Sequence, residues 1–225
     1  MTYYARDVER FQEKFGLPTP PVFRFLPQDL HDFRVTFFNE ELVEYIEAHR
    51  DGDLATAIDS LIDMVYITCG AALLHGMKSQ NFHVLAETIC VPDKIFSDVD
   101  GPHVEVVHED EELNKPHLLD TELHAKLCTT LEEHISDYEE AVLNKSRAGV
   151  EKALANLYMS CMLAATSMGI SERCWDELWD DVQRANMAKE RAPSKDKSKR
   201  NSEWDVIKPA GWQPPQTEEI LKKYL

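Results

Sequence analysis

Two groups of carboxylates are spaced so that they could do chemistry together. Glu40, Glu41 and Glu44 lie three and four residues apart, and Asp59 and Asp63 lie four apart. On helices these spacings put the side chains of each group on one face. A row of exposed glutamates costs only about 0.2–0.5 kcal/mol per like-charged pair, which a solvated face tolerates. Asp63 is different, because it sits inside Leu61-Ile-Asp-Met-Val-Tyr-Ile67 and no Lys or Arg occurs between Leu54 and Met77. An ionised carboxylate buried there must find a cation from elsewhere in the fold, take up a proton, or bind a metal ion. If the two helices pair, four or five carboxylates converge. All-oxygen ligation selects Mg²⁺, with Mn²⁺ as a substitute, over zinc or copper, and an ion so held suits phosphoryl transfer to water.

The elements that must position these acids are legible in the pattern. Phe33, Phe37, Phe38, Leu42, Tyr45 and Ile46 recur at helical spacing and predict a helix from about Phe33 to His49, ended at Asp51-Gly52. Asp53 is placed to cap a second helix over Leu54 to Leu74, giving an antiparallel hairpin with a tight turn. Residues 1–29 read as an N-terminal arm, with a short helix over Tyr4 to Phe15 and breaks at Gly16, Pro18, Pro20 and Pro21. Residues 30–90 hold the acidic hairpin. Residues 91–117, with Pro92, Gly101, Pro102 and Pro116 around the β-prone Val104 to Val107, read as a linker or insertion. Residues 118–190 resume helical patterning over Leu119 to Gly169 and Glu172 to Ala188. The tail, 191–225, reads as irregular apart from a short helix near Glu218. The expected fold is all-α: a bundle of two antiparallel helical hairpins with an irregular C-terminal tail.

Shifting the chain on itself by 93 residues superposes Glu40 on Glu133, Tyr45 on Tyr138, Ala48 on Ala141 and Gly76 on Gly169. It also turns Glu41 into His134, Asp59 into Lys152 and Asp63 into Asn156. Residues 118–190 therefore read as a second, degenerate repeat, and the molecule as an internal pseudo-dimer with one acidic centre.

The formal charge of −17 argues against coating a nucleic acid. No run of about 18 apolar residues suggests a membrane span, and the N-terminus lacks a signal pattern, so a cytoplasmic location is expected. The five cysteines form no Cys-x-x-Cys pair and read as reduced. Arg184 to Arg200 carries seven basic residues against two acidic ones, a source of charge for a polyphosphate, although Lys195, Lys197 and Lys199 read as linker charges.

Asn39-Glu-Glu-Leu-Val-Glu44, followed by Ala57-Ile-Asp-Ser-Leu-Ile-Asp63-Met-Val-Tyr66 and Gly70, resembles the MazG-like all-α nucleoside triphosphate pyrophosphohydrolases of phage or bacterial type. That superfamily includes dimeric dUTPases and phosphoribosyl-ATP pyrophosphohydrolases. Its pattern is Glu-x-x-Glu, then Glu-x-x-Asp on a second helix. Glu41 and Glu44 match the first pair and Asp63 the last acid; Ser60 stands at the third, with Asp59 one residue earlier. The resemblance runs from Val8 to Met77 and resumes in Val182 to Lys189 and Lys208-Pro-Ala-Gly-Trp-Gln-Pro-Pro215. It implies Mg²⁺-dependent hydrolysis of a (deoxy)nucleoside triphosphate to the monophosphate and pyrophosphate. By the same resemblance Glu41, Glu44 and Asp63 are catalytic, and Glu40 or Asp59 completes the metal set. Asn186, Lys189 and Lys208 would contact the nucleotide, and Trp212, Phe37 or Tyr66 would stack on its base. The expected partners are a nucleoside triphosphate and either a second copy in a dimer or the internal pseudo-dimer.

Three rivals remain at this point. A phosphoribosyl-ATP pyrophosphohydrolase-like enzyme would use the same acids. A non-enzymatic nucleotide sensor or scaffold would bind without turnover. A di-iron bundle would need two Glu-x-x-His pairs on facing helices, and the one such spacing is Glu105 to His108.

Overall fold

The computed structural model describes residues 3–88 and 115–225. The Val104 to Val107 run, the Glu105 to His108 spacing and Cys90 lie outside the described residues. Eight α-helices are described: α1 (Tyr3–Phe15), α2 (Gln28–Asp51), α3 (Leu54–Leu74), α4 (Ser79–Thr88), α5 (Thr121–Leu143), α6 (Arg147–Ser167), α7 (Glu172–Met187) and α8 (Thr217–Leu221). A two-residue ladder joins β1 (Glu190–Arg191) to β2 (Val206–Ile207) in antiparallel register. The protein is an all-α bundle.

Local chemistry sets each hairpin. α2 ends at Gly52, whose φ of 77° is the left-handed conformation glycine adopts without strain. Asp53 then accepts from the Thr56 amide at 3.0 Å and its hydroxyl at 2.7 Å, starting α3. The second hairpin repeats this at the same 93-residue offset. Lys145 takes the left-handed turn position, φ 52°, and Ser146 accepts from the Gly149 amide at 3.1 Å. The correspondence extends to the lead-in segments. Arg24 N donates to His75 O and His117 N donates to Met168 O, both at 2.9 Å. Across the bundle, the Tyr45 and His124 rings lie 5.3 Å apart, and so do those of His31 and Tyr138. The same pair of positions is thus used twice in opposite directions, as an approximate two-fold axis between α2 and α5 requires.

α3 and α6 run through the centre of one continuous core with Tyr45, Tyr138 and Leu154. α3 has the length and hydropathy of a membrane span, which corrects the sequence reading that no such stretch exists. Its most apolar window is 89% buried inside the bundle, and it carries Asp59 and Asp63, so burial in the core accounts for its composition. Three further elements depart from the sequence expectation. α2 begins at Gln28 rather than near Phe33. α4 forms a separate helix after Gly76, whose backbone lies against that of Val22. The arm is part of the core: Tyr4, Ala5 and Val8 are buried, and Gln183 Nε2 and Trp179 Nε1 of α7 donate to Asp7 at 3.0 and 3.2 Å. Cys69, Cys128, Cys161 and Cys174 are free, and burial raises each thiol pKa.

His75 ties the halves together. Its Nδ1 donates to Arg24 O at 2.8 Å, so its Nε2 accepts from the Tyr138 hydroxyl at 3.0 Å. Burial, with His31, Arg24 and Arg34 nearby, pushes its pKa down from 6.5 to about 4. The unfolded chain therefore binds the proton first, and stability contributed by neutral His75 is present above pH 6.5 and lost as pH falls toward 4. The shift corresponds to about 3 kcal/mol. Urea unfolding from pH 7 to 4.5 should show a steeper loss for wild type than for His75→Gln; parallel curves would contradict the assignment.

Candidate active site

Between α1, α2, α3 and the returning tail lies a cavity of about 500 Å³. Glu41, Glu44, Asp59 and Asp63 line it together with Asn186, Lys189 and Lys208, and Asp63 senses the charges of both lysines. The sequence grouping of these acids with these basic residues is therefore a spatial one.

The acids are held close and left without cations of their own. Among the described residues, Glu41, Glu44 and Asp63 have no hydrogen-bond or ion-pair partner. Burial, then the charges of Asp63 and Glu44, pushes Glu41 up to about 9. Burial and Asp63 raise Asp59 to about 7, against a hydrogen bond from the Thr217 hydroxyl at 3.0 Å. Burial raises Asp63, while Lys189, Lys208 and Arg200 pull the other way from beyond ion-pairing distance. Ser60 is buried and its hydroxyl donates to Thr56 O at 2.9 Å. Asp59, not Ser60, thus presents the acid of the second helix nearest the loop.

These donors fit a hard divalent cation. Three of the four, Glu41, Glu44 and Asp63, are unpartnered carboxylates, and a cation would relieve the repulsion within the set. Among the described residues no three Asp, Glu, His or Cys side chains converge tightly enough to grip an ion unaided. An ion sharing its shell with water and substrate oxygens, as Mg²⁺ does, needs no such cage.

Glu40 is placed elsewhere. It accepts from Arg200 Nε at 2.8 Å and lies 3.6 Å from Lys199 Nζ, and it does not line the cavity. Arg200 also donates to the buried Asp205 at 3.1 Å and lies 3.6 Å above the Phe37 ring. Glu40 therefore anchors the tail across α2. The loop from Ala192 to Asp205 is pinned at its base by β1 and β2 and by Trp204 Nε1, which donates to Asp29 at 3.1 Å. This fold-back puts Lys197 and Lys199 on the cavity wall, correcting their reading as linker charges.

Trp212 also stands outside the cavity lining. Its Nε1 donates to Ala185 O at 2.8 Å, and Lys208 and Lys189 lie 4.4 and 5.9 Å from its ring centre. It braces the two lysines, which accounts for its place in the motif better than base stacking does. Phe37 and Tyr66 do line the cavity, with Tyr66 Oη donating to Gln183 at 2.8 Å. Arg34, Gln12, Arg200 and Asp205 were missed in the sequence. A lone arginine between Phe33 and Val35, seven residues before Glu41, was the available signal for Arg34.

The second hairpin holds no such set, since Lys152 and Asn156 take the places of Asp59 and Asp63 at the 93-residue offset. Both ring nitrogens of the buried His134, at the place of Glu41, lack a partner.

The family model described as phosphoribosyl-ATP pyrophosphohydrolase matches residues 8–85, the segment from α1 to α4 that carries Glu41, Glu44, Asp59 and Asp63. Residues 8–85 belong to the MazG-like all-α nucleoside triphosphate pyrophosphohydrolase superfamily. The match supports a pyrophosphohydrolase-type enzyme. The second hairpin and the lysine-bearing tail lie beyond the matched segment. No curated protein and no solved structure matches the chain.

Proposed function

We propose that this MazG-like protein hydrolyses a nucleoside triphosphate, ribo or deoxy, to the monophosphate and pyrophosphate in the presence of Mg²⁺. The observation that carries this reading is a single cavity in which three unpaired carboxylates face Lys189 and Lys208. A substrate bearing both an attached cation and free anionic oxygens complements both sets of groups at once.

Glu41, Glu44, Asp59 and Asp63 are the residues that would hold Mg²⁺. When bound, the ion supplies charge neutralisation on the phosphate oxygens and at the departing pyrophosphate. Lys189 and Lys208, braced by Trp212, hold non-bridging oxygens and fix the chain of phosphates in line. Water adds at the α-phosphorus and the bond to the bridging oxygen breaks, leaving monophosphate and pyrophosphate. An ionised carboxylate of the cluster accepts the proton of that water.

The deciding experiment is product analysis with Mg²⁺ and each nucleotide, phosphoribosyl-ATP included. Pyrophosphate supports the reading. Orthophosphate, or binding with no product, removes it; turnover of phosphoribosyl-ATP alone moves it to the narrower activity. Trp212→Ala should raise KM roughly tenfold through its lysines while leaving the helical content unchanged. An unaltered KM would remove the bracing role.

A further inference from the structure

Of Glu41, Glu44, Asp59 and Asp63, Asp59 alone has a hydrogen-bond partner among the described residues, and that partner lies 158 residues further along the chain. The Thr217 hydroxyl on α8 donates to Asp59 Oδ1 at 3.0 Å, and Asp59 Oδ2 is left without a partner among the same residues. A threonine at the start of a short helix can turn its hydroxyl on the helix's own free amides. α8 has no side-chain cap hydrogen bond, and the buried Thr217 gives its hydroxyl to α3 instead. The hydroxyl therefore serves Asp59 rather than the helix that carries it.

Other contacts hold α8 in place. Gln216 N donates to Asp181 Oδ2 at 2.6 Å, and Arg184 Nη2 donates to Pro214 O at 3.0 Å, which ties the segment before α8 to α7. Ile220 and Leu221 are buried in the main core. Removing one hydroxyl leaves all of these contacts standing, so the effect of the Thr217 hydrogen bond is separable from the docking of α8.

Helical geometry says why Asp59 needs such a partner. At about 100° per residue, Asp59 lies about 40° to one side of Asp63 around α3 and Ser60 about 60° to the other. Ser60 spends its hydroxyl on its own helix, so the acid on that stretch of α3 is Asp59. The acids do not converge tightly enough to grip an ion unaided. In so open a set, each side chain that must be ordered when the ion arrives loses rotamer freedom, and one already held loses less. A neutral hydroxyl suits this task. It takes one of about four acceptor positions on the carboxylate and leaves Oδ2 free, whereas a lysine or arginine in its place would compete with the cation for the same charge.

We propose that Thr217 is a positioning residue of the cavity, its hydroxyl holding Asp59 ready to share a divalent cation. This rests on the reading that Glu41, Glu44, Asp59 and Asp63 hold Mg²⁺. The test follows wild type, Thr217→Val and Thr217→Ser by two measurements: the gain in melting temperature with Mg²⁺ alone, and the Mg²⁺ dependence of pyrophosphate release from a nucleotide that wild type turns over. Valine keeps the shape and loses the donor, and serine keeps the donor. Thr217→Val should raise the Mg²⁺ concentration for half-effect roughly tenfold in both measurements, the usual cost of removing a group that orients a metal-binding side chain. Thr217→Ser should restore the wild-type value. A half-effect concentration unchanged in Thr217→Val, even with a lowered metal-free melting temperature, would make the hydroxyl structural and overturn the positioning role alone. Failure of serine to restore the Mg²⁺ response overturns it equally. Wild type that gains no melting temperature from Mg²⁺ and shows no Mg²⁺-dependent turnover overturns the metal reading, and the role of Thr217 with it.

Discussion

Asp63→Asn should cost turnover on the order of a hundredfold or more while raising the melting temperature of the metal-free protein. The two effects have one cause. Asp63 is partly buried on α3, and burial disfavours its ionised form more than the distant Lys189, Lys208 and Arg200 favour it. Glu41 adds like charge across the hairpin. An amide of the same shape removes a charge the fold must hold without contact to a cation. Stability rises by that amount, about 2–4 °C per kcal/mol for a chain of this size. Mg²⁺ reverses the comparison, because an ion that binds only the native state stabilises it by mass action. Wild type should gain melting temperature with added Mg²⁺ and the variant should gain little. Retained turnover with a lowered melting temperature would make Asp63 a structural residue and remove the metal reading.

Most of what was legible in the sequence is local. The stripe Phe37, Phe38, Leu42, Tyr45 states a helix, Asp53 states where the next begins, and a carboxylate inside the apolar α3 states that something must balance it. The 93-residue offset also proved informative, since it carries over to turn conformations and cap hydrogen bonds that identity matching cannot see. What was hidden depends on contacts between distant segments. Nothing near Arg200 says that it folds back over Phe37 and takes Glu40 away from the acidic cluster. Lys197 and Lys199 look like solvated charges until β1 and β2 close the loop beneath them. Gln12 lies on a short amphipathic helix whose packing partners, α3 and α7, come later in the chain.

The second hairpin differs from the first where buried like charge is concentrated. α5 and α6 keep the capping, the turn and the tyrosine–histidine contact across the pseudo-axis. They replace the convergent acids with His134, Lys152 and Asn156. Without those acids the second hairpin holds no such cluster of like charge, and it packs against α2 and α3.

Lys189→Met should be the counterpart of the Asp63 substitution, with the opposite sign on stability. Lys189 is a partly buried amine at the end of α7. Burial lowers its pKa and Asp63 opposes that shift, so each charge is tolerated partly because of the other. Removing the amine leaves Asp63 with less compensation, and the metal-free melting temperature should fall. Turnover should fall on the order of a hundredfold, the usual cost of one group aimed at developing phosphate charge. The double variant Asp63→Asn, Lys189→Met separates the two roles. If the lysine acts on stability through Asp63, its substitution should destabilise the asparagine background less than wild type, leaving a coupling energy in the cycle. Equal losses in both backgrounds would mean that the two side chains do not sense one another, and that opposed charge does not organise the cavity.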